Sequence, residues 1–216
     1  YSKELVEFIF VDDASSDASV NIIQNFISKL TMTTQVIATI RSSNSPKKDA
    51  ISTAISIAKN TWIITTDADC MVPQNWLKKL NSCIQEKDLN MVVAPVNYKA
   101  KNNFLAQFQW LDFMSMQGST IGGFGLNFPF LCNGANLAYK KDVFSRLHGF
   151  EGNNTMASGD DIFLFEKFLA HDKKSVGLLK SKEAIVTTFP VKTWRELLHQ
   201  RTRWAAKTSQ LKSAPI

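Results

Sequence analysis

Residues Ile63 to Cys70 read IITTDADC, an apolar run that closes on two aspartates one residue apart. Successive side chains of a strand alternate faces, so Asp67 and Asp69 are expected to point the same way and to repel. That repulsion brings no return in packing, and a divalent cation between the carboxylates removes it. Magnesium-type ions take one or two protein carboxylates and complete their shell with water and substrate phosphates. The pair therefore predicts a site for Mg2+ or Mn2+ on Asp69 and Asp67, with a metal-bound diphosphate or triphosphate as the ligand.

Two further acidic clusters occupy comparable places. Asp12, Asp13 and Asp17 follow the first apolar run, in DDASSD, and Asp160 and Asp161 open the apolar-periodic stretch DIFLFEKFLA. In open α/β sheets ligands bind beyond the carboxyl ends of strands, so the clusters around Asp12 and Asp67 can share one negative crevice. Each cluster also has an ordinary structural use. The run from Asp13 to Asp17 suits an Asx turn and a helix start. Ser158 with Asp161 three residues on reads as a capping box, with the acid at the positive end of the helix dipole.

A third constellation lies in TWRELLHQRTRW, where Thr193 and Glu196 form a capping-box pattern and predict a helix. On that helix Gln200, Arg203 and Trp204 fall at i, i+3 and i+4, one face. Arg can fork onto phosphate oxygens and Trp can stack on a sugar or base. A basic surface helix with Trp204 tucked into the core has the same spacing, and spacing alone does not separate the two.

These residues need a scaffold, and the chain reads as an α/β sheet with crossover helices. VEFIFV is a first strand, VNIIQNFISKL a helix and QVIATI a second strand. SSNSPKKDA is expected to be a loop into the helix AISTAISIA, followed by the strand TWIITTDAD. Pro73 suits the first turn of the helix PQNWLKKLNSCIQ, and MVVAPV is another strand. NFLAQFQWLDFMSMQ has helical period and many large apolar residues, and glycine-punctuated STIGGFGLNFPFLCNG is expected to be a loop or hairpin. The aromatic stripe is read as core packing in preference to a lipid-facing or acceptor-facing wall.

The 216 residues, 44% hydrophobic, suffice for one large globular domain, 1–216, with no internal boundary. No run approaches the roughly 18 apolar residues of a membrane-spanning helix. The three cysteines, Cys70, Cys83 and Cys132, are odd in number and lack metal-ligand spacing, which favours unbridged thiols in a reducing compartment. Three dispersed histidines argue against a zinc site. From Lys192 onward six basic residues face only Glu196, so this segment holds five of the six excess positive charges. It suits a phosphate-bearing ligand or an anionic membrane surface. No recognised motif accompanies it, which argues against nucleic acid.

Taken together and in order, VDDASSD, TTDADC, ASGDD and QRTRW resemble the inverting family 2 glycosyltransferases of the GT-A fold, in the branch of cellulose, chitin and hyaluronan synthases. The resemblance runs from about Val6 to Trp204. It implies a Rossmann-like mixed sheet flanked by helices and polysaccharide biosynthesis from a nucleotide-sugar donor, UDP- or GDP-linked. By this resemblance Asp13, with Asp12 beside it, contacts the base, and Asp67 lies near the ribose and diphosphate. Asp69 is the metal ligand and Asp161 the general base. Gln200, Arg203 and Trp204 line the acceptor channel and reach the diphosphate. Lys47 and Lys48 stand where relatives carry a glycine- and lysine-rich donor loop, without its glycines, and Asp160 replaces a common Glu.

The acceptor is expected to be a glycan or lipid-linked hydroxyl. Relatives carry a strand before VDDASSD and membrane helices after QRTRW, so the chain is expected to be a soluble fragment lacking its first strand. The full-length protein is expected at the cytoplasmic face of the cell membrane, its basic segment toward anionic headgroups. Two other readings use the same acids: a metal-dependent phosphoryl-transfer hydrolase with DAD as nucleophile and metal pair, and a non-catalytic nucleotide-sugar-binding module.

Overall fold

A computed structural model of the chain describes residues 1–99, 102–152 and 158–208, the side chains of 206–208 excepted. Residues 209–216, with Lys212 of the basic segment, lie outside the described residues. The structure is mixed α/β and divides into two compact units, residues 1–63 with 140–160 and residues 64–139 with 161–216.

The first unit begins with β1 (Glu7–Asp12), which pairs in parallel with β2 (Thr33–Ala38) across α1 (Ser19–Ile27). A parallel pair requires such a crossover. α2 (Pro46–Ile57) packs on β1 and starts earlier than the sequence suggests. SPKKDA is expected to be loop, but Pro46 sits in the first turn, where its missing N–H is no loss. The Glu7 carboxylate accepts hydrogen bonds from the backbone N–H of Lys59 and Asn60, fixing the exit from α2. α5 (Lys141–Arg146) closes this unit, and the Phe144 and Phe150 rings meet edge to face at 5.3 Å. Gly149 between them has φ +47, and a Cβ there would lie 2.7 Å from the Phe144 ring, so both backbone and packing require glycine.

The second unit carries a four-stranded sheet ordered β3-β6-β4-β7, made of Trp62–Thr65, Leu137–Lys140, Met91–Val93 and Val176–Leu178; the division between units passes through β3 and β6. β4 runs antiparallel to β6 and parallel to β7. A separate parallel pair joins β5 (Val96–Tyr98) to β8 (Val186–Thr188). MVVAPV is thus two strands, broken at Pro95, which has no N–H for a ladder. α3 (Trp76–Lys87) begins three residues after Pro73, not at it.

α4 (Phe104–Gly125) is 22 residues long and runs through STIGGFG, where a loop or hairpin is expected. Glycine costs a helix about 1 kcal/mol each. Burial offsets part of that cost here, because Gly123 lies where a Cβ would come within 2.9 Å of the Phe128 carbonyl oxygen. α6 (Asp160–Asp172) and α7 (Trp194–Thr208) complete the unit.

The core of the second unit includes Leu80, Met91, Val92, Ala138, Phe165 and Phe168. Two of its fully buried polar side chains, Asn136 and Gln109, are paired, as their desolvation demands. Asn136 accepts from Trp76 Nε1 at 2.8 Å and donates to the Pro95 and Ala184 carbonyls. Gln109 on α4 donates to the Val191 carbonyl and accepts from the Val191 N–H, both at 3.0 Å, tying α4 to the segment that leads into α7.

Candidate active site

β3 ends at Thr65, so Asp67 and Asp69 do not alternate along a strand. They sit in a turn closed by the Cys70 N–H donating to the Asp67 carbonyl at 3.0 Å. The turn still brings the two acids together, and it adds a donor the spacing did not suggest. One ligand atom each from Asp67, Asp69 and Cys70 lie within 4.8 Å of one another. The Thr188 hydroxyl donates to Asp69 Oδ2 at 3.4 Å, and an antiparallel bridge from Met71 to Thr187 holds the turn against the end of β8. Burial pushes the Cys70 thiol up, and the charges of Asp67 and Asp69 push it further. Two carboxylates fit the oxygen preference of Mg2+ or Mn2+, so this donor set suits the cation that the D-x-D pattern implies.

Asp161 belongs to the same unit and opens α6. Its Oδ2 accepts from the Gly134 N–H at 3.2 Å and its Oδ1 from the Ile162 N–H at 2.8 Å, as a carboxylate at a helix start does. The Gly134 carbonyl in turn accepts from the Thr65 hydroxyl at 2.7 Å, two residues before Asp67. The end of the strand that carries the D-x-D turn and the head of α6 are thereby tied to one glycine.

In the first unit the DDASSD loop combines local structure with exposed charge. Asp12 makes an Asx turn by accepting from the Ser15 N–H at 3.2 Å, Asp17 accepts from the Ser19 N–H at the start of α1, and Ala14 has φ +61. A non-glycine residue in the left-handed region is strained, and such strain gathers at ligand-binding loops. Asp13 is held by a bidentate pair with Arg41 at 2.7 and 2.6 Å.

Lys48 is 2% exposed on the first turn of α2, beside a cavity of about 430 Å³ that Ser42, Asp49, His148 and Glu151 also line. Its neighbour Lys47 pairs with Asp160 at 3.2 Å. Burial opposes ionisation of Asp49. Hydrogen bonds from the N–H and hydroxyl groups of Ser42 and Ser43 outweigh it and hold the carboxyl below its ordinary range.

On α7, Gln200 and Trp204 are half-buried and Arg203 is exposed. The intervening Arg201, outside the i, i+3, i+4 set, makes the contacts. Its guanidinium pairs with Asp112 of α4 at 2.5 Å, donates to Gln200 Oε1 at 2.9 Å and lies 4.2 Å from the centre of the Trp204 ring. Buried Tyr98 of β5 hydrogen-bonds to both Arg201 and Gln200. Burial raises the Tyr98 phenol, against the pull of Arg201. The signal for Arg201 was present in QRTRW, but its partners Tyr98 and Asp112 come from elements about 100 residues away.

Residues 2–147 match the family described as Glycosyl transferase family 2, and the chain belongs to that family. Its fold is the GT-A fold. S. aureus TarS 1-349 superimposes with a TM-score of 0.61 at 15% identity, over 98% of this chain and 58% of TarS 1-349. The same protein in complex with UDP gives 0.61 at 14% identity, over 98% of this chain and 59% of that one. Its complex with UDP-GlcNAc gives 0.58 at 13%, over 89% and 52%. This chain therefore spans a little over half the length of TarS 1-349. No protein of curated function matches it.

Proposed function

We propose that residues 1–216 act as a single catalytic domain that transfers a hexosyl unit, with inversion, from a nucleotide-diphosphate sugar to a hydroxyl of a glycan or lipid-linked acceptor. We place it in the polysaccharide-building branch of cellulose, chitin and hyaluronan synthases. The observation that carries this reading is the pair of hydrogen bonds through Gly134, which tie Asp161 to the strand leading into the D-x-D turn, in a chain of this family. The binding of UDP and UDP-GlcNAc by TarS supports a uridine donor.

In this reading Asp161 accepts the proton of the acceptor hydroxyl, so that the oxygen attacks the anomeric carbon from the face opposite the leaving group. The carboxylate is oriented for this by the Gly134 and Ile162 N–H groups. Asp69 and Asp67 would hold Mg2+ or Mn2+. The bound cation supplies charge neutralisation on the departing nucleoside diphosphate. Arg203 adds a second positive charge to that group, while Gln200 and Trp204 line the acceptor path. Asp12 and Asp13 face the base, and Lys48 faces the phosphates. The basic segment meets an anionic membrane surface at the cytoplasmic face of the cell membrane.

A thermal-shift panel of UDP-, GDP- and dTDP-sugars, each with and without Mn2+, tests the donor assignment. The expected result is stabilisation by one nucleotide class, larger with the cation. The proposal fails if no nucleotide diphosphate stabilises the chain under any metal condition.

A further inference from the structure

The outward face of α4 is unlike the surface of an ordinary domain. Its 22 residues carry one charge, Asp112, and that charge is consumed by Arg201. The inward face is packed through Ala106, Gln109, Phe113, Thr120 and Gly123. The outward face leaves Phe104 78%, Phe108 45% and Leu111 66% exposed, followed by Met114 and Ile121. At 1.5 Å per residue this helix is about 33 Å long.

α7 extends the apolar face sideways. The Trp194 ring lies 6.2 Å from Phe104 and 5.6 Å from Phe108, and Leu198, one turn on, is 67% exposed. Arg201 meets Asp112 further along, so the two helices lie side by side and run the same way. Next to the stripe of Trp194 and Leu198, α7 presents Arg195 and, one turn on, His199, both exposed. Beyond the end of α4, exposed Lys173 and Lys174 line a cavity with Phe124, Asn127 and Pro129.

We infer that the joint face of α4 and α7 is a docking surface for an anionic lipid bilayer, with Phe104, Phe108, Leu111, Trp194 and Leu198 entering the interface and Arg195 and its neighbours meeting phosphate headgroups. Among the described residues no helix is long and apolar enough to cross a membrane, and the buried inner face of α4 keeps it attached to its own unit. The face therefore lies on the bilayer. Helices that do so combine Trp, Phe and Leu on one side with Lys and Arg on the flank, as here. Charge complementarity selects the occupant: a second copy of the chain would set Arg195 against a like charge, whereas acidic headgroups neutralise it. A glycan would use aromatic rings with adjacent polar groups, but Leu111, Leu198 and Met114 offer none.

This inference extends the membrane contact proposed above from the basic segment to a defined surface. Its test involves no sugar transfer, so either reading can fail alone. The 216-residue chain is sedimented with vesicles of phosphatidylcholine alone or with about 30% phosphatidylglycerol, a fraction that gives a strongly negative surface. Binding is expected to the anionic vesicles, weakened several-fold by raised salt, with a blue shift in tryptophan emission that W194F removes. L111E/L198E should cut binding at least tenfold and R195E several-fold. I22E, an exposed apolar site on α1 of the other unit, should leave it unchanged. Each variant is checked for an unaltered melting temperature, and a single L111E substitution replaces the double if that unfolds. No binding to anionic vesicles, the same affinity in I22E and L111E/L198E, or a dimer in gel filtration that L111E/L198E dissociates, would each overturn the inference.

Discussion

Thr65 and Asp161 hold the two polar groups of one residue: the Thr65 hydroxyl donates to the Gly134 carbonyl at 2.7 Å, and the Gly134 N–H donates to Asp161 Oδ2 at 3.2 Å. Displacing either the end of β3 or the start of α6 strains a shared glycine. In the proposed reaction the base and the cation turn are therefore set by one backbone element, which is how a site keeps reacting groups at fixed separation.

Asp161→Asn retains the size of the side chain and an oxygen for the Gly134 or Ile162 N–H, but it cannot take a proton. Transfer should fall by about 10²–10⁴ in kcat, with donor affinity within a few-fold of the parent. Single-turnover kinetics alongside a donor titration separate the two. A hydrolase built on the D-x-D pair, or a binding module, should scarcely respond.

Asp69→Asn removes a carboxylate charge from the turn and leaves an amide that still accepts from Thr188. Cation-dependent stabilisation by UDP should disappear, while the melting temperature of the free chain stays close to the parent's. Calorimetry with Mn2+ and UDP reads the difference. Full retention of the Mn2+ effect would place the ion elsewhere.

Arg201→Ala and Arg203→Ala should diverge, although both residues belong to QRTRW. Loss of Arg201 breaks the Asp112 pair and the Trp204 contact, both partly exposed, and should cost about 1–2 kcal/mol of stability. Loss of exposed Arg203 should leave the melting temperature alone and weaken binding of the diphosphate. If Arg203→Ala leaves donor binding intact, the motif serves only to anchor α7.

The depressed Asp49 carboxyl has a pH signature. A group whose folded pKa lies below its unfolded value stabilises the fold above the unfolded value, near 4, and loses that contribution as pH falls through the lower folded value. Asp49→Ala should lower the melting temperature by about 5 °C or more at pH 7. The gap between variant and parent should narrow in scans taken progressively below pH 4.

Local chemistry carried much of this structure in plain sight. The first two strands, their crossover helix and the capping box at Thr193 follow from period and cap residues; Glu196 accepts from the Thr193 N–H while donating its own N–H to the Thr193 hydroxyl. The acids of DAD were legible as a pair for a reason that did not hold, since a turn and not strand alternation gathers them. The helix through Gly122 and Gly123 was hidden because its support comes from Phe128 and Phe130, which close over Gly123 only in the folded chain. Strands of three residues such as β5, β7 and β8 are too short to show a period, and their pairing partners lie about 90 residues apart. Core packing held for Phe113, but its neighbours Phe104, Phe108 and Leu111 face outward, because composition alone does not tell which side of a helix meets the core.

Gln109 imitates a strand neighbour: its amide gives and takes one bond each with Val191, as a ladder partner would. A carboxylate of the same shape would turn an oxygen toward an oxygen, and an aliphatic chain would take this partner from both groups of half-buried Val191. Drift at this position is thus confined to a single residue type unless the approach to α7 is rebuilt, and a relative with another side chain there should have a differently routed segment ahead of that helix.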